Sequence, residues 1–415
     1  MRHPLPAAAL AAALLIATPY AGWAEPAPKF DELLRRVGDS PRVEVLAADV
    51  AKAEGLARQA RARPNPTISL YGENFAGTSP YDGTLRAEAT LQFSQPLEVG
   101  GKRLARIAAA NAGVAAARAR GLEGRIAYAD ELARAYAAVE IAERRIGIAE
   151  DEVEEAEADL KLARALVGAG KEARLRELQA ATEVETMQAE LEGARAVEVA
   201  ALARLSALAG VQQPYTSLSE SLLDRPASHP VAVMADASSN AAYVAAKAEQ
   251  DAAAKRVIAE RKRAIPDITG QIGVRRLYQD NATALVAGVS VPLNLFDRNR
   301  GNIAAAEAER RGAAARAAVA RLEAEAGLRT AVAQVEAAEA RAAAAERTMA
   351  TAQEAYRLAR IAYEAGKSPL SELLAARRRL GIVRGVVVDA AVARFEARAH
   401  LARLQGTTIT GEPVQ

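Results

Sequence analysis

One stretch of this chain is written twice. Leu162-Ala-Arg-Ala-Leu-Val-Gly-Ala-Gly-Lys171 returns as Leu358-Ala-Arg-Ile-Ala-Tyr-Glu-Ala-Gly-Lys367, six of ten positions identical, at an offset of 196. The same offset carries Pro96-Leu97 onto Pro292-Leu293, Ile107-Ala-Ala-Ala110 onto Ile303-Ala-Ala-Ala306, and Gly210 onto Gly406. Alanine-rich helices match one another readily, so the proline and Gly-Lys anchors carry the argument. A repeat of this kind is one supersecondary unit that needs a neighbouring unit to bury its apolar face. Each copy reads as an approach helix, two short strands, a very long helix, a glycine turn and a return helix.

The long helices follow from heptads. Leu132, Ala135, Val139, Ala142, Ile146, Ala149, Val153, Ala156, Leu160, Ala163 and Val167 step by three and four. The second copy gives Leu328, Ala331, Val335, Ala338, Ala342, Ala345, Met349, Ala352, Tyr356, Ala359 and Tyr363 without an insertion. This is a coiled-coil seam. Hydrophobic residues make up 51% of the 415 residues but aromatics only 4%, so alanine supplies closely packed helices rather than a thick core. A helix over 102–167 runs about 100 Å, and one over 302–364 about 95 Å. Glycine caps end both, at Val167, Gly168, Ala169, Gly170 and Lys171, and at Ala365, Gly366 and Lys367.

The strands follow from period two. From Thr84 to Ser94, Leu85, Ala87, Ala89, Leu91 and Phe93 alternate with polar residues. Weaker alternation marks 66–75, 266–277 and 284–292. About ten residues, apolar on one side only, suit a transmembrane β-strand. A pair of ordinary solvated hairpins is the competing reading. Four strands cannot close a barrel, and lipid does not tolerate an open sheet edge. Strands in a membrane therefore require several chains to share one barrel.

The expected layout is a signal peptide over 1–24, a first copy over 25–210 with strands about 66–75 and 84–95, a long helix about 102–167 and a return helix about 172–209. A linker over 211–230 leads to a second copy over 231–406, with strands about 266–277 and 284–292, a long helix about 302–364 and a return helix about 369–405. A tail covers 407–415. The signal reading rests on Arg2-His3, the short apolar run Ala7–Ala17, and small residues at Gly22 and Ala24. With no cysteine in the chain, a lipid anchor, a disulfide framework and a thiolate site are not expected. A net charge of +2, from 54 basic and 52 acidic residues, argues against nucleic acid.

Strand pairs and long helical hairpins, in two copies behind a signal, resemble the TolC-type outer-membrane efflux factors. Ser94-Gln-Pro-Leu-Glu-Val-Gly-Gly-Lys-Arg103 and Val291-Pro-Leu-Asn-Leu-Phe-Asp-Arg-Asn-Arg-Gly-Asn-Ile303 resemble the CzcC-like branch, which serves heavy-metal efflux. The resemblance implies a homotrimer whose twelve strands close one outer-membrane β-barrel, continuous with a helical barrel across the periplasm. It implies a periplasmic adaptor at the glycine tips, an inner-membrane pump of the resistance-nodulation-division type, and outer-membrane lipid around the barrel. It also implies an acidic gate near the tips. Glu372 occupies one gate position; the second falls on Ala375, a departure from the pattern. Glu177 is the counterpart in the first copy if its tip loop carries one extra residue. Arg377, Arg378 and Arg379 are candidates for links or for the bore, or form a solvated helix face.

No catalytic constellation, phosphate loop or dinucleotide fingerprint is present in the sequence, and no enzyme activity or cofactor is expected. His229 and His400 lie far apart without ligand-like neighbours, so no resident metal site is expected. The seven acids from Glu150 to Asp159 read as a solvated outer face, with a cation-guiding surface as the competing reading. The implied function is a passive exit duct for heavy-metal cations. A duct for drugs or secreted proteins, and a soluble periplasmic coiled-coil scaffold, remain the alternatives.

Overall fold

The computed structural model describes residues 25–225 and 237–414. The expected signal segment, residues 226–236 of the linker and second copy, and Gln415 lie outside these residues.

The elements run α1 (Phe30–Arg36), α2 (Pro41–Ala60), β1 (Thr67–Glu73), β2 (Glu88–Leu97), α3 (Lys102–Gly168), α4 (Arg174–Ala209), α5 (Ala241–Arg263), β3 (Ile268–Leu277), β4 (Ala282–Ser290), α6 (Arg300–Glu364) and α7 (Leu370–Gln405). Short helix α1 carries no repeat signal in the sequence. The second strand begins at Glu88, not at residue 84. The alternation is real, but Ala87 N–H donates to Thr84 O at 3.0 Å and makes a turn there. The Arg86 guanidinium lies over the Tyr81 ring in the same loop.

Heptad spacing makes α3/α4 and α6/α7 antiparallel hairpins. In each long helix eight of the eleven seam positions are buried, which identifies the seam as the packed face. Ala156, Leu160 and Ala163 of α3 meet Ala180 and Val184 of α4. Leu328, Ala331, Val335 and Ala338 of α6 meet Ala397 and Leu401 of α7.

The strands form a single antiparallel sheet, order β1-β2-β3-β4, so β2 pairs with β3 across the two copies. Its register sorts side chains by face. Ile68, Phe93, Ile272 and Ala287 make one row, and Leu70, Leu91, Val274 and Leu285 another. The large members of both rows are exposed, Leu285 at 90%. The opposite face carries Thr67, Ser94, Gln271, Tyr71 and Thr90. There Arg275 binds Glu73 at 3.2 Å, Glu88 at 3.0 Å and the Thr90 hydroxyl at 3.0 Å. Among the described residues β1 and β4 each have one unpaired edge.

The largest apolar cluster lies partway along the helices. Phe30 packs edge-on against Tyr136, centroids 6.0 Å apart, with Leu132, Val139 and Leu205 around them. The stretch read as a linker takes part: Leu222 and Leu223 are buried there. Glu140, 5% exposed, accepts the N–H groups of Leu222 at 2.7 Å and Leu223 at 3.1 Å, and its other oxygen meets Arg144 at 2.7 Å. Residues 211–225 are thus strapped to the first hairpin rather than slack.

Candidate functional site

Two places in this architecture answer to the sequence expectations: the hairpin tips and the seam between the hairpins just above them. The tips are built alike. Gly170 N–H donates to Val167 O at 3.0 Å and Lys171 N–H to Leu166 O at 2.9 Å; Gly366 N–H donates to Tyr363 O at 2.9 Å and Lys367 N–H to Ala362 O at 2.8 Å. This pair of bonds is the Schellman stop, which needs a left-handed residue. Gly170 and Gly366 supply it at φ +68° and +69°. A Cβ at either would meet nothing within 4 Å, so backbone conformation, not packing, requires glycine. Val167 is half-buried, whereas Gly168, Ala169, Gly170, Lys171, Ala365, Gly366 and Lys367 are exposed. Behind them Tyr363, Leu370 and Leu373 are buried against Leu162 and Leu166 of α3, which holds the two tips side by side.

The tip loops have equal length, since α4 starts at Arg174 and α7 at Leu370, 196 apart. The extra residue that would match Glu177 to Glu372 is absent. The offset sets Arg176 against Glu372, and Glu177 instead faces Arg164 of its own hairpin at 3.3 Å. Glu372 is exposed in the first turn of α7 and has no ion pair among the described residues. Arg378 and Arg379 are exposed on the same helix.

Arg377 differs from its two neighbours. It is 4% exposed, which does not fit a bore-lining or solvated residue. Its guanidinium meets Glu183 of α4 at 2.8 Å and Asp159 of α3, itself 2% exposed, at 3.5 Å. Seven residues on, Arg384 meets Glu155 of α3 at 2.7 Å. Farther up, Asp389 pairs with Arg145 at 3.1 Å, Glu396 with Arg134, and Arg403 with Asp130 at 3.6 Å. A polar zipper therefore joins α7 of the second copy to α3 of the first. Asp159 and Glu155 belong to the acidic run read as a solvated face; in the structure they point into this seam. The sequence holds the signal, because Arg377 and Arg384, and likewise Asp389, Glu396 and Arg403, recur on one face of α7 at heptad spacing.

Electrostatics mark the lower end of the zipper. Burial pushes the Asp159 carboxyl up to about 6, with the Arg377 and Arg360 guanidinium groups pulling the other way. Burial also raises Glu152, whose carboxyl lies against Gly381. Arg377 pairs more closely with Glu183 than with Asp159, so Asp159 is the under-compensated member.

The chain as a whole matches known proteins. The outer membrane efflux protein family matches residues 37–211 and again 237–407, one match to each copy. The chain is 42% identical to the nickel-cobalt-cadmium resistance protein NccC of Alcaligenes xylosoxydans xylosoxydans, over 95% of this chain and 90% of that one. It is 43% identical to the nickel and cobalt resistance protein CnrC of Cupriavidus metallidurans, over 85% and 84%. Among solved structures it superposes on the outer membrane protein VceC of Vibrio cholerae with TM-score 0.74 and 22% identity, over 92% of this chain and 96% of that one, a likeness of fold. Two copies of one family unit, each a strand pair on a long helical hairpin, make this chain a member of the outer membrane efflux protein family.

Proposed function

We propose that three copies of this chain form the exit duct of a tripartite efflux system that expels divalent metal cations. The observation that carries the reading is the sheet: apolar rows exposed on one face, polar residues on the other, and an unpaired edge at each side. Lipid satisfies the rows, and only neighbouring strands satisfy the edges. Four strands from each of three chains close a twelve-stranded barrel, and the long hairpins continue it as a tube through the periplasm.

Residues 1–24 serve as the export signal, and no lipid anchor is attached. The tips around Gly170 and Gly366 dock a periplasmic adaptor, which links the duct to a resistance-nodulation-division pump in the inner membrane. Glu372, with Arg378 and Arg379 about two turns further along α7, constricts the bore at rest. The duct has no catalytic task and no cofactor; the metal is cargo. Nickel, cobalt and cadmium are the first cargoes to try, because the relatives at 42% and 43% identity are named for resistance to them.

Deletion of the gene tests the cargo. Growth should become sensitive to nickel, cobalt or cadmium salts and recover on complementation. Unchanged metal tolerance with lost drug tolerance assigns the duct to drug efflux instead.

A further inference from the structure

The chain contains one seam between its two copies, and the internal repeat dictates a matching seam between chains. Inside the chain, the end of β2 and the loop into α3 meet the end of α5 and the start of β3. Leu97 pairs with Ile268, and Lys102 Nζ reaches Asp267 at 2.8 Å. A Cβ built on Gly100 would run into Ile265, 2.5 Å from its Cδ1.

Two shifts map copy one onto copy two. Thr67 pairs with Ser94 and Thr269 with Ser290, so β2 maps to β4 by 196 residues and β1 to β3 by 202. Pro64 then falls on Pro266, as the sequence requires. Within the chain Phe93 pairs with Ile272 and Gln95 with Gly270. Carried onto the free edges, these pairs set Val289 opposite Leu70, and Val291 opposite Ile68, of the next copy. Ile68, Leu70 and Val289 lie on the apolar face and Val291, one residue past β4, continues its alternation, so the mapped seam keeps the two faces of the sheet consistent. The same mapping sets Phe296 in the place of Gly100, and Arg63 of the next copy in the place of Ile265.

Phe296 is 99% exposed, the most exposed of the large apolar side chains described. Arg63 is exposed and makes no hydrogen bond or ion pair among the described residues, although Arg103 and Arg106 bind the carbonyls of Arg61 and Ala62 just before it. We infer that Phe296 of each chain seats on the Arg63 guanidinium of the next, anchoring the chain–chain seam where barrel meets tube. A guanidinium over an aromatic face gains both burial and cation–π attraction, and arginine and aromatic side chains are the residues that most often dominate an interface. The two seams then differ in shape. The in-chain seam fits a glycine to an isoleucine, and the between-chain seam fits a phenylalanine to an arginine. The pairing of β2 with β3 inside the chain already leaves only copy two to meet copy one of the next chain, and the Phe296–Arg63 contact then fits that one junction.

This inference rests on the trimeric reading, so its test separates the two. The chain has no cysteine, which leaves engineered thiols alone to react. One variant carries Phe296→Cys with Arg63→Cys, and a control carries Val291→Cys with Ile68→Cys. Each is expressed in cells and treated in outer-membrane vesicles with a mild oxidant or a short thiol-to-thiol linker. The linker is included because the loop backbones differ: φ is positive at Gly100 and Gly101, but only at Asn299 in the second copy. Both pairs should give covalent dimers and trimers, and the four single variants none. Phe296→Ala should shift dissociation of the unlinked trimer in SDS to lower temperature, and Phe296→Tyr should leave it in place. Cross-linking of the control pair alone overturns the Phe296 contact and leaves the trimer standing. Failure of both pairs in membrane-inserted protein overturns the trimeric reading as well. A fluorophore attached to the thiol of the single variant Phe296→Cys gives an independent check. Its quenching by a bilayer-dissolved quencher would assign Phe296 to the membrane and refute the contact.

Discussion

Residues that look alike in the sequence separate by burial. Arg377, Arg378 and Arg379 are one run of charge, yet only Arg377 is enclosed, between Asp159 and Glu183. Removing one member of a buried ion cluster strands the others, at a cost of about 3–5 kcal/mol. Arg377→Ala should therefore lower the thermal unfolding midpoint markedly in detergent, whereas Arg379→Ala should leave it nearly unchanged. Asp159 adds a pH dependence. Its folded carboxyl titrates at about 6, above its ordinary 3.8, so the folded chain holds this proton more tightly than the unfolded one. Its contribution to stability is largest below about pH 4, declines between about 4 and 6, and stays flat above. Comparing unfolding midpoints across that range should show Asp159→Asn with a flatter slope than the native chain. At the tips, Gly366→Asp strains a left-handed cap by about 1 kcal/mol and adds charge to an open surface. It should abolish metal resistance while the trimer still forms and inserts; normal resistance would remove the adaptor from that tip. The Arg377 run and its heptad spacing to Arg384 were visible in the sequence, but the partners that enclose Arg377 were not. Which arginine is buried depends on how α7 docks on α3, and that docking joins residues far apart in the chain, Arg377 with Asp159.

At the scale of elements, local periodicity was legible and long-range pairing was not. The heptads located both hairpins, because each seam packs against the helix that follows it across a short turn. Alternation located four strands but overran the start of β2, since Thr84 to Arg86 alternate within a turn. No local signal announced that β2 pairs with β3 across the copies, or that residues 211–225 strap back to Glu140. The sheet makes its own prediction. Leu285 is on the apolar face, and Gln92 is on the polar one. Leu285→Arg should cost about 2–4 kcal/mol near the bilayer midplane and reduce recovery from the outer-membrane fraction. Gln92→Arg, on the polar face, should be recovered normally. Equal recovery of the two would mean the sheet does not sit in lipid as described.

The whole molecule is a unit that its own chain leaves unfinished. Two hairpins are clasped by the zipper, one sheet exposes an apolar face, and among the described residues two strand edges are unpaired. In the proposed assembly the tube closes only when copies of the same chain supply the neighbours of those edges, so that oligomerisation would follow from hydrogen bonding in lipid. The most direct measurement is the mass of the mature protein extracted from outer membranes in mild detergent, by native mass spectrometry. A particle of three chains, which heat in SDS converts to one, is expected. A single-chain mass from the membrane, or recovery of the native protein in the soluble periplasmic fraction, would contradict it.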